Sequence, residues 1–240
     1  MLKVDLHLHT NDDPIDDVRH SAGELVDRAA ADRFSALAIT LHDRQLRDPS
    51  LADYARERGV IILPGVERTI GGRHVLLINF PQHAEDVQTF DDVRRLKAAG
   101  NGLVIAPHPF FPEASCLQGL MDEHADLFDA VEWTYFWRPG VNFNARAERW
   151  ARERGKPLVG NSDLHDLRQL GRTHSLVAAE PCADAICEAI REGRVSLRTQ
   201  PVPALELASV LGGMLWRGRN GRAKNADRLS EPASGLQPSA

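Results

Sequence analysis

Short apolar runs alternating with amphipathic helical stretches constrain this 240-residue chain more than any other feature. "VDLHLHT" (4–10) is followed by "SAGELVDRAAADR" (21–33), and "ALAITLH" (36–42) by "PSLADYARERG" (49–59). "VIILPGVE" (60–67) and "HVLLINF" (74–80) flank Gly71-Gly72, and "DDVRRLKAAG" (91–100) precedes "LVIAPHPF" (103–110). Further on, "LQGLMDEHADLF" (117–128) leads to "AVEWTYF" (130–136), "FNARAERWARERG" (143–155) to "PLVGNSDLH" (157–165), and "HSLVAAE" (174–180) to "ADAICEAIREG" (183–193). Ser21 with Glu24 three residues on is a capping-box start, and Gly59 reads as a helix stop. Repeated switching between strand and helix patterns predicts the α/β class with a largely parallel sheet. About seven strands with no Gly-x-Gly-x-x-Gly turn predict a TIM-like barrel over residues 1–215. From Trp216 the periodicity gives way to Gly, Arg, Asn, Ser and Pro, so residues 216–240 are predicted to be a disordered tail.

Chemistry in such folds sits at the carboxyl ends of the strands. Those ends carry His7 and His9, His42, Glu67, His108, Glu132, and Asp163 with His165, while His74 opens its strand after the glycine turn. In an extended strand residues two apart share a face, so Asp5, His7 and His9 are expected on one side and Val4, Leu6 and Leu8 on the other. Asp163 and His165 repeat that spacing, and the two pairs converge only if the sheet curls round. Imidazole and carboxylate without thiolate suit Zn²⁺, Mn²⁺ or Fe²⁺ better than Ca²⁺ or Mg²⁺. The set exceeds the needs of one tetrahedral ion, which predicts two or three divalent ions.

"DLHLHT", "AITLHD", "LPGVE", "APHP", "VEW" and "NSDLH" occur in the order and rough spacing of the PHP domain, the polymerase and histidinol phosphatase superfamily, and the chain resembles it over residues 1 to about 200. That resemblance implies a distorted (β/α)₇ barrel, two or three metal ions, and hydrolysis of phosphate esters. It implies one ion on His7, His9, Glu67 and Asp163, and a second on Glu67, His74 and His108, with Glu67 bridging. A third would use His42, His165 and an acid after His9, for which "NDDPIDDVRH" offers Asp12, Asp13 or even His20. The chain departs from the family's Thr-Asp-His in the second strand, where Leu41 stands before His42.

Paired divalent ions polarise a phosphoryl oxygen and activate water, so no serine–histidine–acid relay is required. Asp163 and His165 are the candidate partners for proton transfer beside the bridging Glu67. Arg44, Arg68, Arg138 and Arg172, in or near loops after strands, are the candidates for holding non-bridging oxygens. Trp133, Tyr135 and Trp137 read first as core, with a stacking surface at the rim as the alternative. A formal charge of −5 gives no general attraction to nucleic acid or anionic membrane, so the expected substrate is a phosphomonoester of a small molecule or nucleotide, with extended nucleic acid disfavoured. The alternatives are a nucleotide or short-oligonucleotide phosphodiesterase or exonuclease and a non-catalytic metal-binding module. An amidohydrolase is disfavoured because Lys97 and Lys156 lie in helical or turn contexts. Three cysteines without Cys-x-x-Cys spacing, and no signal-peptide pattern or membrane-length apolar run, lead us to expect a cytoplasmic protein.

Overall fold

The computed structural model describes residues 1–80 and 83–204, so the predicted tail lies outside the described residues. Met1–Pro201 form one compact unit; a second, Val202–Ala240, is described only at its first residues. The elements are β1 (Leu2–Leu8), α1 (Ala22–Ala31), β2 (Ala36–Ile39), α2 (Pro49–Glu57), β3 (Ile61–Ile70), β4 (Arg73–Ile78), α3 (Phe90–Ala99), β5 (Leu103–Ala106), α4 (Leu120–Glu123) and β6 (Ala130–Thr134). They continue with β7 (Trp137–Arg138), β8 (Val141–Asn142), α5 (Asn144–Glu153), β9 (Leu158–Asn161), β10 (Thr173–Val177), α6 (Ala183–Arg191) and β11 (Val195–Thr199).

Nine strands form one curled sheet in the order β11-β10-β1-β2-β3-β4-β5-β6-β9. β1 to β6 and β9 provide the seven strands of a nearly closed barrel, as predicted. The seam between β9 and β1 closes at the top by a single parallel bridge, Leu8 to Leu164, where His9 N–H donates to the Leu164 carbonyl at 3.1 Å. Lower down, Leu6 N–H donates to Asn161 Oδ1 and Gly160 N–H to Ser175 Oγ on β10.

Strand direction differs from the largely parallel expectation. β1, β2 and β3 run parallel, as do β5, β6 and β9, but β4 is antiparallel to both its neighbours and β10 to both of its own. Apolar periodicity does not encode direction, whereas the two-residue turn Gly71-Gly72 (φ +57° and +76°) permits only a hairpin. Reversal of β4 places its first residues at the same end of the barrel as the carboxyl ends of β1, β2 and β3.

β1 also breaks its own alternation. A register shift against β2 between Asp5 and Leu8 inserts one extra residue, a β-bulge. Val4 and Leu6 therefore pack with Ala36, Ala38 and Leu63, whereas Leu8 packs with Leu25, Leu37 and Ile39 beneath α1 and α2. α6 lies under the opposite end of the barrel: Ile186 and Ile190 join the Val4 cluster, and the Arg191 guanidinium donates to the Asn101 and Gly102 carbonyls ahead of β5. On the β4–β6 side Leu77, Val104 and Val131 pack against Ala147 and Trp150 of α5.

The helices start where side chains satisfy their free N–H groups. Ser21 and Glu24 bond reciprocally at α1, Thr89 and Asp92 do so at α3, and Asp48 before Pro49 accepts from Ser50 and Leu51 N–H at α2. The helix expected over 117–128 shrinks to four residues, because Gln118 takes a left-handed φ of 50° and its side chain bonds the Phe111 carbonyl. Among the described residues no helix is long and apolar enough to cross a membrane.

The seam makes a specific demand at Gly160, where an added Cβ would lie 2.5 Å from Leu197 Cδ1 and 2.8 Å from the His174 carbonyl oxygen. Gly160→Ala is expected to lower the unfolding free energy by about 1–3 kcal/mol, read from urea denaturation. An unchanged midpoint would show that the seam is looser than this packing implies.

Candidate metal centre

One carboxylate organises the mouth of the barrel. Glu67 is 1% exposed, and its Oε2 lies 3.3 Å from His7 Nε2, 3.4 Å from His9 Nε2 and 3.2 Å from His42 Nε2. Its Oε1 lies 2.8 Å from His74 Nδ1 and 3.2 Å from His108 Nε2. Asp163 Oδ1 approaches the same imidazoles, 3.3 Å from His7 Nε2 and 3.6 Å from His9 Nε2. The antiparallel β3–β4 register explains His74: Thr69 faces His74, so Glu67 and His74 are diagonal neighbours on one face of the hairpin.

The acids after His9 divide their roles. Asp13 Oδ2 lies 2.9 Å from His9 Nδ1 and 3.1 Å from His42 Nδ1, and it accepts the His42 N–H at 3.0 Å. Asp12 instead accepts from Thr10 Oγ1 at 3.1 Å. His20 Nε2 donates to the His9 carbonyl, a supporting bond. The acid that the sequence reading missed is Asp16, whose Oδ2 is 2.8 Å from His165 Nε2 and 3.7 Å from His42 Nδ1. Asp13 Oδ1 accepts the N–H groups of Ile15 and Asp16, an Asx turn that brings Asp16 back over the site. "Asp-Pro" at 13–14 was the turn signal available in the sequence.

Outside these groups stands a supporting carboxylate layer. Fully buried Glu132 accepts from His7 Nδ1 at 2.8 Å, from Asn161 Nδ2 at 2.9 Å and from the His108 N–H at 2.9 Å. It thereby leaves His7 Nε2 facing Glu67, and it holds His108 at a left-handed φ of 28°. Asp163 is likewise left-handed, at φ 47°. Asp5 does not join the imidazoles; its oxygens take the Ser162 N–H at 3.1 and 3.2 Å and the His7 N–H at 3.3 Å, across the seam.

Of the four arginines, Arg68 is ion-paired to Asp43 and donates to the Val87 carbonyl at 2.6 Å, bonds that engage its guanidinium at the end of β3. Arg44 is exposed after β2, and Arg138 and Arg172 are half-buried, Arg138 in the β7–β8 hairpin. Trp133 and Tyr135 are buried as core, and Tyr135 Oη accepts from Gln169, whose Oε1 accepts the His165 N–H.

The electrostatics follow from this crowding. Burial alone would raise Glu67, but the charge of His7 and the close approach of His108 and His74 hold it well below the carboxylate range. Burial would likewise lower His7, yet Asp163, Glu132 and Glu67 hold it well above the imidazole range. His108 is raised against burial by Cys116 and Glu67, and His42 by Asp13 and Glu67. His165 reaches about 9, with Asp16 and Asp163 outweighing its burial. Burial pushes Asp5 up to about 7 despite its N–H bonds.

His7 Nε2, His9 Nε2 and His74 Nδ1 are buried without a hydrogen-bond partner although carboxylate oxygens lie within 2.8–3.4 Å. Imidazole lone pairs converging with carboxylates in this way fit divalent transition-metal cations.

Residues 141–195 match the family described as PHP-associated. The fold resembles a two-domain protein from Bacteroides vulgatus containing a predicted PHP-like metal-dependent phosphoesterase, at 22% identity and TM-score 0.62 over 83% of this chain and 65% of that one. It also resembles the lesion-specific endonuclease Q of Pyrococcus furiosus (17%, TM-score 0.56, 82% and 57%) and an endonuclease Q in complex with a 27-mer duplex substrate with an abasic lesion at the active site (17%, TM-score 0.55, 82% and 58%). A third likeness is to an amidohydrolase from Chromobacterium violaceum with bound sulfate (16%, TM-score 0.57, 80% and 97%). The chain thus spans under two thirds of the length of the first of these and of endonuclease Q. No curated protein matches the sequence. The likeness to these structures is one of fold, and the family match is confined to residues 141–195.

Two outcomes are expected. Glu132→Gln keeps the volume but removes the charge that orients His7, and metal affinity should fall about 10–100-fold with the fold intact; unchanged affinity in a chelator competition would remove Glu132 from this role. Because His7, His42, His108 and His165 are raised in the ion-free protein, cation uptake at pH 7 must displace protons, and affinity should strengthen as pH rises toward about 9. His165 stabilises the ion-free fold fully below the unfolded imidazole value of about 6.5, a contribution lost as pH rises through about 9, and His7, His42 and His108, raised likewise, act in the same sense. Titration calorimetry in two buffers of different ionisation enthalpy measures the release, and identical heats would contradict it.

Proposed function

We propose that the protein is a metal-dependent phosphoesterase acting on a phosphate ester of a small molecule or nucleotide. The observation that carries this reading is the division of the Glu67 carboxylate, with Oε1 toward His74 and His108 and Oε2 toward His7, His9 and His42. In this reading His7, His9, Glu67 and Asp163 hold one divalent ion, Zn, Mn or Fe, and Glu67, His74 and His108 a second. His42 and His165, with Asp16, hold a third, and Asp13 orients His9 and His42.

Bound divalent ions supply Lewis acidity toward a phosphoryl oxygen and acidify water near neutral pH. The chain's own residues do the rest. Asp163, held ionised by His7 and its neighbours against burial, keeps a negative oxygen at the rim. When only the first two sites are filled, His165, with its side chain 38% exposed, carries a proton at Nε2 that it shares with Asp16 and can pass to the leaving alkoxide; a third ion on that nitrogen would take the proton's place. Arg44, Arg138 and Arg172 remain the candidates for non-bridging oxygens. The likeness to endonuclease Q favours a second reading, hydrolysis of a nucleic-acid phosphodiester, against which stands the net charge of −5.

Metal-supplemented protein is expected to take up two or three ions and to hydrolyse members of a phosphomonoester panel, while Glu67→Gln should lose most metal and on the order of 100-fold or more in turnover. Near-normal turnover by Glu67→Gln would contradict the assignment, and full metal uptake without turnover on any ester would leave a binding module. If duplex DNA is cleaved with higher kcat/KM than every mononucleotide and sugar phosphate, the second reading replaces the first.

A further inference from the structure

His74 and His108 come from different strands, yet both are fastened to one short stretch of chain, Ala114–Cys116. The His74 N–H donates to the Ser115 carbonyl at 2.8 Å. His108 Nδ1 lies 3.4 Å from Cys116 Sγ, and with its proton on that nitrogen the ring presents Nε2 to Glu67 Oε1 at 3.2 Å. The stretch is held in turn by Arg73, whose Nη1 donates to the Ala114 carbonyl and, at 2.9 Å, to the Cys116 carbonyl, the two that flank Ser115. Among the described residues no acidic side chain lies within ion-pair distance of Arg73, so main-chain carbonyls are the partners of its guanidinium. Arg73 itself touches neither Glu67 nor an imidazole.

We propose that Arg73 is a positioning residue for the cation held by His74 and His108, acting through the Ala114–Cys116 segment, an inference that rests on the multi-ion reading above. A fork of N–H donors on two carbonyls two residues apart fixes the intervening peptide more firmly than one main-chain bond does. Release of that clamp frees the Ser115 carbonyl from His74 and the Cys116 sulfur from His108 together. The pair then loses its common frame, while His7, His9 and Asp163, mounted on β1 and the β9 end, keep theirs.

The test compares wild type with Arg73→Met, Arg73→Lys and Cys116→Ala, counting metal equivalents retained against a graded chelator and recording the visible spectrum of the cobalt-substituted proteins. Arg73→Met is expected to retain about one equivalent fewer, or to release that equivalent at about tenfold lower chelator, and to lose one component of the cobalt spectrum. Arg73→Lys should restore most of both, since an ammonium can bond the same carbonyls. Cys116→Ala, which leaves the clamp in place, should show the same selective loss and keeps the test decisive should Arg73→Met fail to fold. Wild-type retention and spectrum in both Arg73→Met and Cys116→Ala would overturn the inference alone. A parallel loss of all ions with a large fall in thermal stability would overturn it in favour of a general structural role. If wild type itself takes up fewer than two equivalents, the multi-ion reading fails and this inference with it.

Discussion

The structure turns on one buried carboxylate surrounded by five imidazoles. Removing the Glu67 charge from water costs several kcal/mol unless opposite charge or strong donors surround it. In the ion-free protein the raised imidazoles of His7, His42 and His108 provide that compensation, so carboxylate and histidines stabilise one another's charged forms. A cation replaces those protons with a fixed positive charge. The curl of the sheet is what makes the arrangement available, because β1, β2, β3, β4 and the segment after β5 each bring one or two of the groups to the same point.

Such a cluster needs a rigid frame, and the frame is itself acidic. Glu132 reaches a ring nitrogen of His7 and the main chain of His108; Asp13 joins His9 to His42; Asp5 ties β1 to Ser162 across the seam. His108 and Asp163 adopt left-handed backbone, at a cost on the order of 1–3 kcal/mol each. Neither conformation is cheap for a residue with a side chain, and for His108 the Glu132 bond to its N–H offsets part of the cost. Strain and support therefore coincide at His108.

Much of this was legible in the sequence because strand ends are easy to find and imidazoles at those ends are rare by chance. His7, His9, His42, Glu67, His108, Asp163 and His165 were located by that logic, and His74 stood out by opening its strand. What stayed hidden was geometry without a periodic signature. Asp16 enters through an Asx turn, so its distance along the chain from His9 gave no hint of its return. The bulge in β1 takes Asp5 off the imidazole face, and nothing in "VDLHLH" distinguishes a bulged strand from a regular one. Arg68 looked available because Asp43, its partner, is distant in sequence and meets it only through the β2–β3 pairing. The α4 stretch has helical composition, yet a side-chain bond from Gln118 overrides it.

The reversal of β4 carries a consequence for how such a chain can change in length. Glu67 and His74 are related by the ladder that pairs Thr69 with His74 and Ile70 with Arg73, whereas Gly71 and Gly72 lie beyond the last pair, with open space around each Cα. Residues inserted between those glycines would leave the ladder, and with it the separation of the two side chains, untouched. The hairpin thus separates the chemistry from the length of the loop above it, and that loop is free to grow into a recognition arm over an unaltered centre.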